Sequence, residues 1–167
     1  MTVDPLSIEA VNALDAAGFL ATFGHVYEDS PALAATAFEQ RPFADRDALV
    51  GAFDAAAGTL DDDDVLTLLR AHPQLAVAGP LTASSTEEQR GAGLTGDDPV
   101  LDEIRVRNAR YLDRFGFPFI IAVRGLGPAD VMAALAERLE HDEAEERATA
   151  LTQVRRIAAL RIDQVLA

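Results

Sequence analysis

Residues Arg70 to Ala76, RAHPQLA, place a histidine directly before a proline at the end of an apolar helical pattern. Proline disfavours a helical conformation in the residue that precedes it, so the helix should end at Ala71 or His72. The helix dipole favours the charged form of an imidazole at a helix C-terminus. His72 is therefore either a side chain at a helix end with no further role or a rigidly placed proton-transfer group. The local pattern leaves both interpretations open.

A second polar cluster lies in SSTEEQRGAGL, residues 84–94. Its Ser85-x-x-Glu88 spacing is typical of a capping box, in which Ser85 caps a helix and Glu88 reaches back to the cap. The alternative places Ser85, Glu88 and Gln89 around a ligand at a helix N-terminus. Main-chain N–H groups have no intrahelical partner there and can bind an acceptor.

The last predicted helix carries an arginine on an otherwise apolar stripe. Arg161 interrupts a pattern of three- and four-residue spacings formed by Leu151, Val154, Ala158 and Val165. The guanidinium is either packed or ion-paired inside the protein, or it binds a carboxylate. The formal net charge is −14, which repels small anions. An anionic substrate would therefore need a local positive charge of this kind.

No other pattern in the chain predicts a metal or phosphate site. The sequence has no cysteine, which excludes thiolate ligands and cysteine nucleophiles. His25 lies near a predicted helix end, and His141 and Glu145 are four residues apart on a helix expected to be exposed, without a second ligand pair. The GAG at 91–93 lacks the helix context and the lysine of a phosphate-binding loop. We expect no metal and no phosphate loop.

Helical signals dominate the elements that position these residues. Ser7 is predicted to cap one helix that continues through Leu20, and Asp45 caps another. Residues 77–82 contain glycine and proline and are predicted to form a loop. Further helices are expected from Pro31 to about Gln40, over 65–70, around 86–91, from Pro99 to about Arg114 with its end at Gly116, from Pro128 to about Glu140, and from Asp142 or Glu143 onward.

One stretch has β-like composition. FPFIIAVRG, residues 117–125, is rich in aromatic and branched side chains, but no partner strand is evident. We predict an extended, buried segment near 117–124 instead of a sheet. The chain is therefore expected to form one all-α domain over 1–167, a multi-helix bundle.

Composition sets limits on the class of protein. Of the 167 residues, 49 % are hydrophobic and 25 % are charged, as is common in globular domains. The negative net charge argues against nucleic-acid binding. No apolar run approaches the ~18 residues of a membrane span, and the first residues lack a signal-peptide pattern. A cytoplasmic protein is expected.

Taken together, these stretches resemble the family of 2-oxo-4-hydroxy-4-carboxy-5-ureidoimidazoline (OHCU) decarboxylases. The combination of HPxLA, SxxEQxxAGL and RFGFPFIIAVRG is far more specific than any one motif. The similar segments occur in the order of the family: FGHVYEDSP at 23–31, RPF at 41–43, AHPQLA at 71–76, LTASSTEEQRGAGL at 81–94, NARYLDRFGFPFIIAVRG at 108–125 and IAALRIDQVL at 157–166.

The resemblance implies an all-helical fold and decarboxylation of OHCU to (S)-allantoin and carbon dioxide in purine catabolism, without a cofactor. It assigns His72, Glu88 and Arg161 to catalysis. Dimers are common in that family, and the sequence has no interface signal of its own. Positions that would contact the substrate are Pro73, Ser85, Thr86, Glu87, Gln89, Phe119, Ile120, Ile121, Ala122 and Val123. For the last five, the resemblance implies that the extended main chain hydrogen-bonds the ureido and ring amides.

Two other functions use the same scaffold differently. A non-catalytic protein could bind allantoin or a related ureide, and an acidic interaction module would need no site at all. The presence of His72, Glu88 and Arg161 at the matching positions favours the enzyme.

Overall fold

Capping side chains set the helix starts in the computed structural model, which describes residues 5–77 and 81–167. The main-chain N–H of Ala48 donates to Asp45 Oδ1 at 2.8 Å, as predicted for this helix start. The helices of the described residues are α1 (Ile8–Ala13), α2 (Ala16–Phe23), α3 (Pro31–Phe38), α4 (Arg46–Gly58), α5 (Asp62–Ala71), α6 (Ala83–Gly91), α7 (Pro99–Phe115), α8 (Pro128–Arg138) and α9 (Glu143–Val165).

The single helix predicted from Ser7 through Leu20 is wrong. Ser7 caps α1 as expected, but Leu14 adopts an extended conformation and ends that helix. Asp15 then starts α2, because its side chain accepts a hydrogen bond from the main-chain N–H of Gly18 at 2.7 Å. A second capping residue inside an apolar pattern therefore divides the pattern into two short helices.

The capping box predicted at Ser85 and Glu88 is also wrong. The N-cap of α6 is Thr82, whose Oγ1 accepts from the main-chain N–H of Ser85 at 3.2 Å. Ser85 is instead a buried residue in the first turn, and Glu88 lies in the middle of the helix. Threonine and serine are both good N-caps, and in this helix Thr82 is the one that acts. The loop predicted over 77–82 falls partly on 78–80, which lie outside the described residues.

The predicted long helix and the segment after it are confirmed. α7 begins at Pro99 and ends before Gly116, whose φ of 76° is the left-handed conformation that glycine adopts readily. Its buried face carries the predicted Leu101, Ile104, Asn108 and Tyr111. Residues 118–123 form neither helix nor strand, and all but Ile121 are buried.

Contacts divide the chain into two compact units, each described by itself. The terminal unit comprises Met1–Leu68 and Arg155–Ala167, and the central unit comprises Leu69–Val154. In the terminal unit the N–H of Leu6 donates to the carbonyl of Val165 at 2.8 Å, so its two ends are joined. Its core is aromatic, with Phe19 surrounded by the rings of Phe23, Phe38, Phe43 and Phe53.

The central unit has an aromatic core of its own. The ring of Tyr111 contacts Phe115, Phe117 and Phe119 at centroid distances of 4.7, 5.9 and 5.4 Å. The pairs with Phe117 and Phe119 are edge-to-face, an arrangement that stabilises a core beyond the area that it buries. They fasten the non-helical segment 117–123 to the buried face of α7.

The all-α fold class is confirmed. A single bridge between Leu6 and Leu166 is the extent of β-structure in the described residues. None of the helices in that part of the chain is both long and apolar enough to cross a membrane. The single domain over 1–167 stays a prediction.

Candidate active site

His72 lies where the sequence predicts, directly after the last residue of α5. Its main-chain N–H donates to the carbonyl of Leu69 at 3.3 Å, and the residue is only 7 % exposed. Arg70 donates from Nε to the carbonyl of Gly116 at 2.9 Å, which holds the last turn of α5. The imidazole is therefore held at a buried helix end, where its orientation is restricted.

α6 carries five of the predicted site residues. Ser85 and Gln89 are buried, Thr86 and Glu88 are half-buried, and Glu87 is exposed. The hydroxyl of Thr86 donates to the carbonyl of Thr82 at 2.9 Å, an interaction within the first turn.

Gln89 connects α6 to the chain just after His72. Its Oε1 accepts from the main-chain N–H of Ala76 at 3.0 Å, and its Nε2 donates to the carbonyl of Gln74 at 3.3 Å. Each amide atom retains one further hydrogen-bonding position. Gln89 thus holds this main chain whether or not it also contacts a ligand, and the substrate contact stays a prediction.

The predicted main-chain binding segment, Phe119–Val123, is held by two side chains. Arg138 donates to the carbonyl of Ile120, and Gln153 accepts from the N–H of Ala122 at 3.0 Å. The N–H and carbonyl of Ile121 form no hydrogen bond with any described residue. The carbonyl of Ile120 and the N–H of Ala122 are therefore bound within the protein, whereas the N–H and carbonyl of Ile121 are available.

A buried carboxylate, Glu146, organises the charged groups behind this segment. Glu146 accepts from Arg138 Nε at 2.8 Å and also from the hydroxyl of Tyr111. Its other oxygen lies 2.9 Å from His141 Nδ1. Burial, and then the hydrogen bond to Glu146, raise the pKa of Tyr111, so its hydroxyl stays protonated as a donor.

The position of His141 corrects an expectation. His141 lies between α8 and α9 and not on an exposed helix, because α9 begins only at Glu143. Its close partner is Glu146, five residues away, whereas Glu145 is 3.8 Å from the ring. No group of three or more histidine, aspartate or glutamate side chains in the described part of the chain has a metal-binding arrangement.

Arg161 lies in the terminal unit and is almost completely buried. It is 1 % exposed, and its guanidinium forms an ion pair of 2.8 Å with Glu28, which is 2 % exposed. The guanidinium also donates to the carbonyl of His25 at 3.2 Å. The buried ion pair is one of the two interpretations given by the sequence. Arginine has five donor positions, so the second interpretation, a carboxylate-binding group, stays open.

Sequence reasoning missed Glu28, Arg138 and Glu146 as partners. For Glu28 a signal was available, because it lies inside FGHVYEDSP, one of the segments that carry the family resemblance. The structure shows that this acid is buried. The structure joins α6 to the chain after His72 through Gln89. The convergence of His72, Glu88 and Arg161 on one cavity stays a prediction.

Comparisons with known proteins agree on one family. The family model for OHCU decarboxylase matches residues 12–163. The 2-oxo-4-hydroxy-4-carboxy-5-ureidoimidazoline decarboxylase of Halalkalicoccus jeotgali is 37% identical over 161 residues, which are 96% of this chain and 92% of the relative.

Solved structures agree with this assignment. A crystal structure of (S)-allantoin synthase has a TM-score of 0.80 and 27% identity, and the match covers 98% of this chain and 54% of that chain. A crystal structure of OHCU decarboxylase in the presence of (S)-allantoin has a TM-score of 0.69 and 28% identity, with 83% of this chain and 93% of that chain covered.

Proposed function

The chain belongs to the OHCU decarboxylase family, and we propose that it converts OHCU to (S)-allantoin and carbon dioxide in urate degradation. The observation that supports this function is the match to the family model over residues 12–163. A relative with that name is also covered over 92% of its length. The chain is accordingly a carboxy-lyase.

The chemistry of the substrate explains why no cofactor is needed. The bond between the carboxyl group and its ring carbon breaks, and carbon dioxide leaves. The electron pair moves into a carbon–carbon double bond as the neighbouring ring C=N accepts electrons at its nitrogen. The ring nitrogen takes up a proton, and the resulting enol becomes allantoin when the adjacent carbon gains a proton and the hydroxyl group loses its own. The substrate thus contains the electron sink that cofactors supply in other decarboxylases.

His72 and Glu88 manage the protons in this proposal. His72 hydrogen-bonds the substrate hydroxyl and accepts its proton, and Glu88 holds the imidazole in the required orientation. Burial of His72 at the end of α5 supports this role, because a restricted side chain loses little freedom in the transition state.

Arg161 orients the departing carboxylate. Its pairing with Glu28 balances most of its charge, so its attraction for a carboxylate is weaker than that of an isolated guanidinium. Weak binding suits this reaction, because tight binding of the carboxylate would stabilise the ground state and slow its loss.

The remaining predicted contacts recognise the ureido and ring amides. The set comprises Pro73, the first turn and middle of α6 at Ser85, Thr86, Glu87 and Gln89, and the main chain of Phe119–Val123. Within that segment Ile121 offers an N–H and a carbonyl that no described residue uses. A donor and an acceptor on one residue match the N–H and C=O of an amide. We expect Ile121 to provide the principal main-chain contact.

Location and assembly complete the proposal. We propose the cytoplasm as the location of the enzyme. A homodimer is the assembly to test, by sedimentation of the purified chain.

The function is tested by supplying freshly generated OHCU and measuring carbon dioxide release. The chain should release one carbon dioxide for each OHCU consumed, much faster than buffer alone. A rate equal to that in buffer, with binding of allantoin retained, would instead identify a ureide-binding protein.

A further inference from the structure

The chain just after His72 has no regular hydrogen bonding of its own. Gln74, Leu75 and Ala76 lie outside helices, and no main-chain to main-chain hydrogen bond connects them to other described residues. Ala76 has a φ of 58°, the left-handed region that residues other than glycine rarely adopt. Such a conformation persists only when the surrounding contacts enforce it.

Side chains from two helices supply those contacts. Besides the two hydrogen bonds from Gln89, Asn108 Nδ2 donates to the carbonyl of Leu75 at 2.8 Å. Arg105 Nε donates to the carbonyl of Ala76. Four of the five main-chain polar groups from the carbonyl of Gln74 to the carbonyl of Ala76 are therefore bound by a side chain of α6 or α7.

Asn108 keeps a buried amide although one atom of that amide has no hydrogen-bond partner among the described residues. It is 1 % exposed, and its Oδ1 has no hydrogen-bond partner among the described residues. An unpaired buried acceptor is unfavourable, and a leucine of similar shape would avoid it. What the amide contributes is its donor to the carbonyl of Leu75.

We propose that Gln89 and Asn108 are positioning residues that set the orientation of His72 through the clamped segment Gln74–Ala76. Gln89 directly follows Glu88 on α6. Its hydrogen bonds therefore fix the main chain after His72 relative to the helix that carries Glu88. Pro73 connects His72 to the clamp with a fixed φ, which transmits the constraint over one residue. The expected change in kcat rests on the proposed function, whereas the expected change in the orientation of His72 does not.

The test uses variants that keep side-chain shape and remove the hydrogen bonds. In Gln89→Met and Asn108→Leu, kcat for OHCU should fall tenfold or more, because a catalytic group displaced by about 1 Å can lose up to ~10²-fold in rate. KM should change less than about threefold in Asn108→Leu, because Asn108 is not among the proposed substrate contacts. Gln89→Glu keeps the acceptor for the N–H of Ala76 and should recover part of kcat. If Gln89→Met does not fold, Gln89→Glu decides by the same criteria, with a smaller loss expected.

Asn12 provides the matched control. In the terminal unit the side-chain amide of Asn12 forms two hydrogen bonds to the main chain of Phe43. Its Nδ2 donates to the Phe43 carbonyl and its Oδ1 accepts from the Phe43 N–H, each at 2.8 Å. Asn12→Leu removes the same kind of contact and should leave kcat unchanged. Wild-type kcat in both Gln89→Met and Asn108→Leu would overturn the proposal. A rise in KM at constant kcat would overturn it too, because it would make Gln89 a substrate contact alone.

A measurement without substrate separates this inference from the proposed function. The imidazole resonances of His72, assigned by their loss in His72→Asn, should shift in Gln89→Met and Asn108→Leu and stay in place in Asn12→Leu. Unchanged His72 resonances would refute the positioning role. An inactive wild-type chain with shifted resonances in both variants would refute the proposed function and leave the positioning role standing.

Discussion

Glu28 and Arg161, separated by 133 positions along the chain, form an ion pair of 2.8 Å in which both side chains are almost fully buried. Removing two charges from water is unfavourable, and a pair of apolar residues of similar volume is often as stable or more so. The pair is therefore better explained by a need for a guanidinium at this position than by stability alone.

Glu28→Ala should destabilise the protein by about 3–5 kcal/mol, because it removes the carboxylate that is paired with a buried guanidinium. The free energy of unfolding, from urea titration followed by circular dichroism, measures this. The double variant Glu28→Leu/Arg161→Met should recover most of the stability without recovering decarboxylation. Arg46→Ala, which breaks the exposed pair with Asp163, is the control and should cost no more than about 1 kcal/mol. Equal losses in Glu28→Ala and Arg46→Ala would contradict this account.

Two buried tyrosines should respond differently to loss of their hydroxyls. Tyr27 Oη has no hydrogen-bond partner among the described residues, whereas the Tyr111 hydroxyl donates to Glu146. At neutral pH, Tyr27→Phe should change the free energy of unfolding by less than about 1 kcal/mol, and Tyr111→Phe should lower it by about 1–3 kcal/mol. Chemical denaturation of the two variants beside wild type measures the difference, and a larger loss in Tyr27→Phe would refute it.

The same tyrosines predict a dependence on alkaline pH. Burial raises the pKa of Tyr27 and of Tyr111 in the folded state, and the charge of Asp54 adds to the effect at Tyr27. The folded protein thus holds the hydroxyl protons of both tyrosines more tightly than the unfolded chain does, in which tyrosines ionise at about pH 10. Their contribution to stability is complete below about pH 10 and is lost as the pH rises further. Denaturation midpoints measured across this range should fall less steeply in both phenylalanine variants, and slopes equal to that of wild type would exclude this linkage.

Gln153 should affect substrate affinity through the main chain of Ala122. Gln153→Ala removes the acceptor of the Ala122 N–H and loosens the segment around Ile121, so KM for OHCU should rise roughly five- to tenfold, equivalent to about 1 kcal/mol. Gln153→Glu keeps an acceptor and should stay near the wild-type KM. Steady-state kinetics of the two variants tests this, and an unchanged KM in Gln153→Ala would show that the segment does not bind substrate.

The sequence predicts local structure well where one residue decides it. The caps at Ser7 and Asp45, the end of α5 before His72 and the end of α7 at Gly116 all follow from short-range sterics and hydrogen bonding. Where a helical pattern contains more than one capping residue, the sequence alone does not show which of them act. This is why residues 7–20 were predicted as one helix and the cap of α6 was placed at Ser85.

Partners that are distant in sequence could not be predicted from periodicity. Nothing near Arg161 indicates that Glu28 is its counter-charge, and nothing near Ile120 indicates that Arg138 binds its carbonyl. Such pairs depend on how helices pack, and a hydrophobic pattern describes only which face of a helix is buried. Local patterns in the sequence indicated His72, Glu88 and Arg161 as candidate site residues, and the resemblance to the family assigned them to catalysis.

His72→Ala and Glu88→Ala should each keep the fold and lose about 10²–10⁴-fold in turnover, because a positioned acid–base group contributes about that much to a rate. Far-UV circular dichroism and thermal melting establish that the fold is retained. Normal turnover in His72→Ala would remove the role assigned to the imidazole.

The stereochemistry of the product tests the central claim most directly. Freshly generated OHCU is added to the wild-type chain, and the optical activity of the allantoin is followed over time. We predict rapid formation of a single enantiomer, (S)-allantoin, and slow formation of racemic product when His72→Ala replaces the wild type. Racemic allantoin formed by the wild-type chain at the rate seen in buffer would contradict the account.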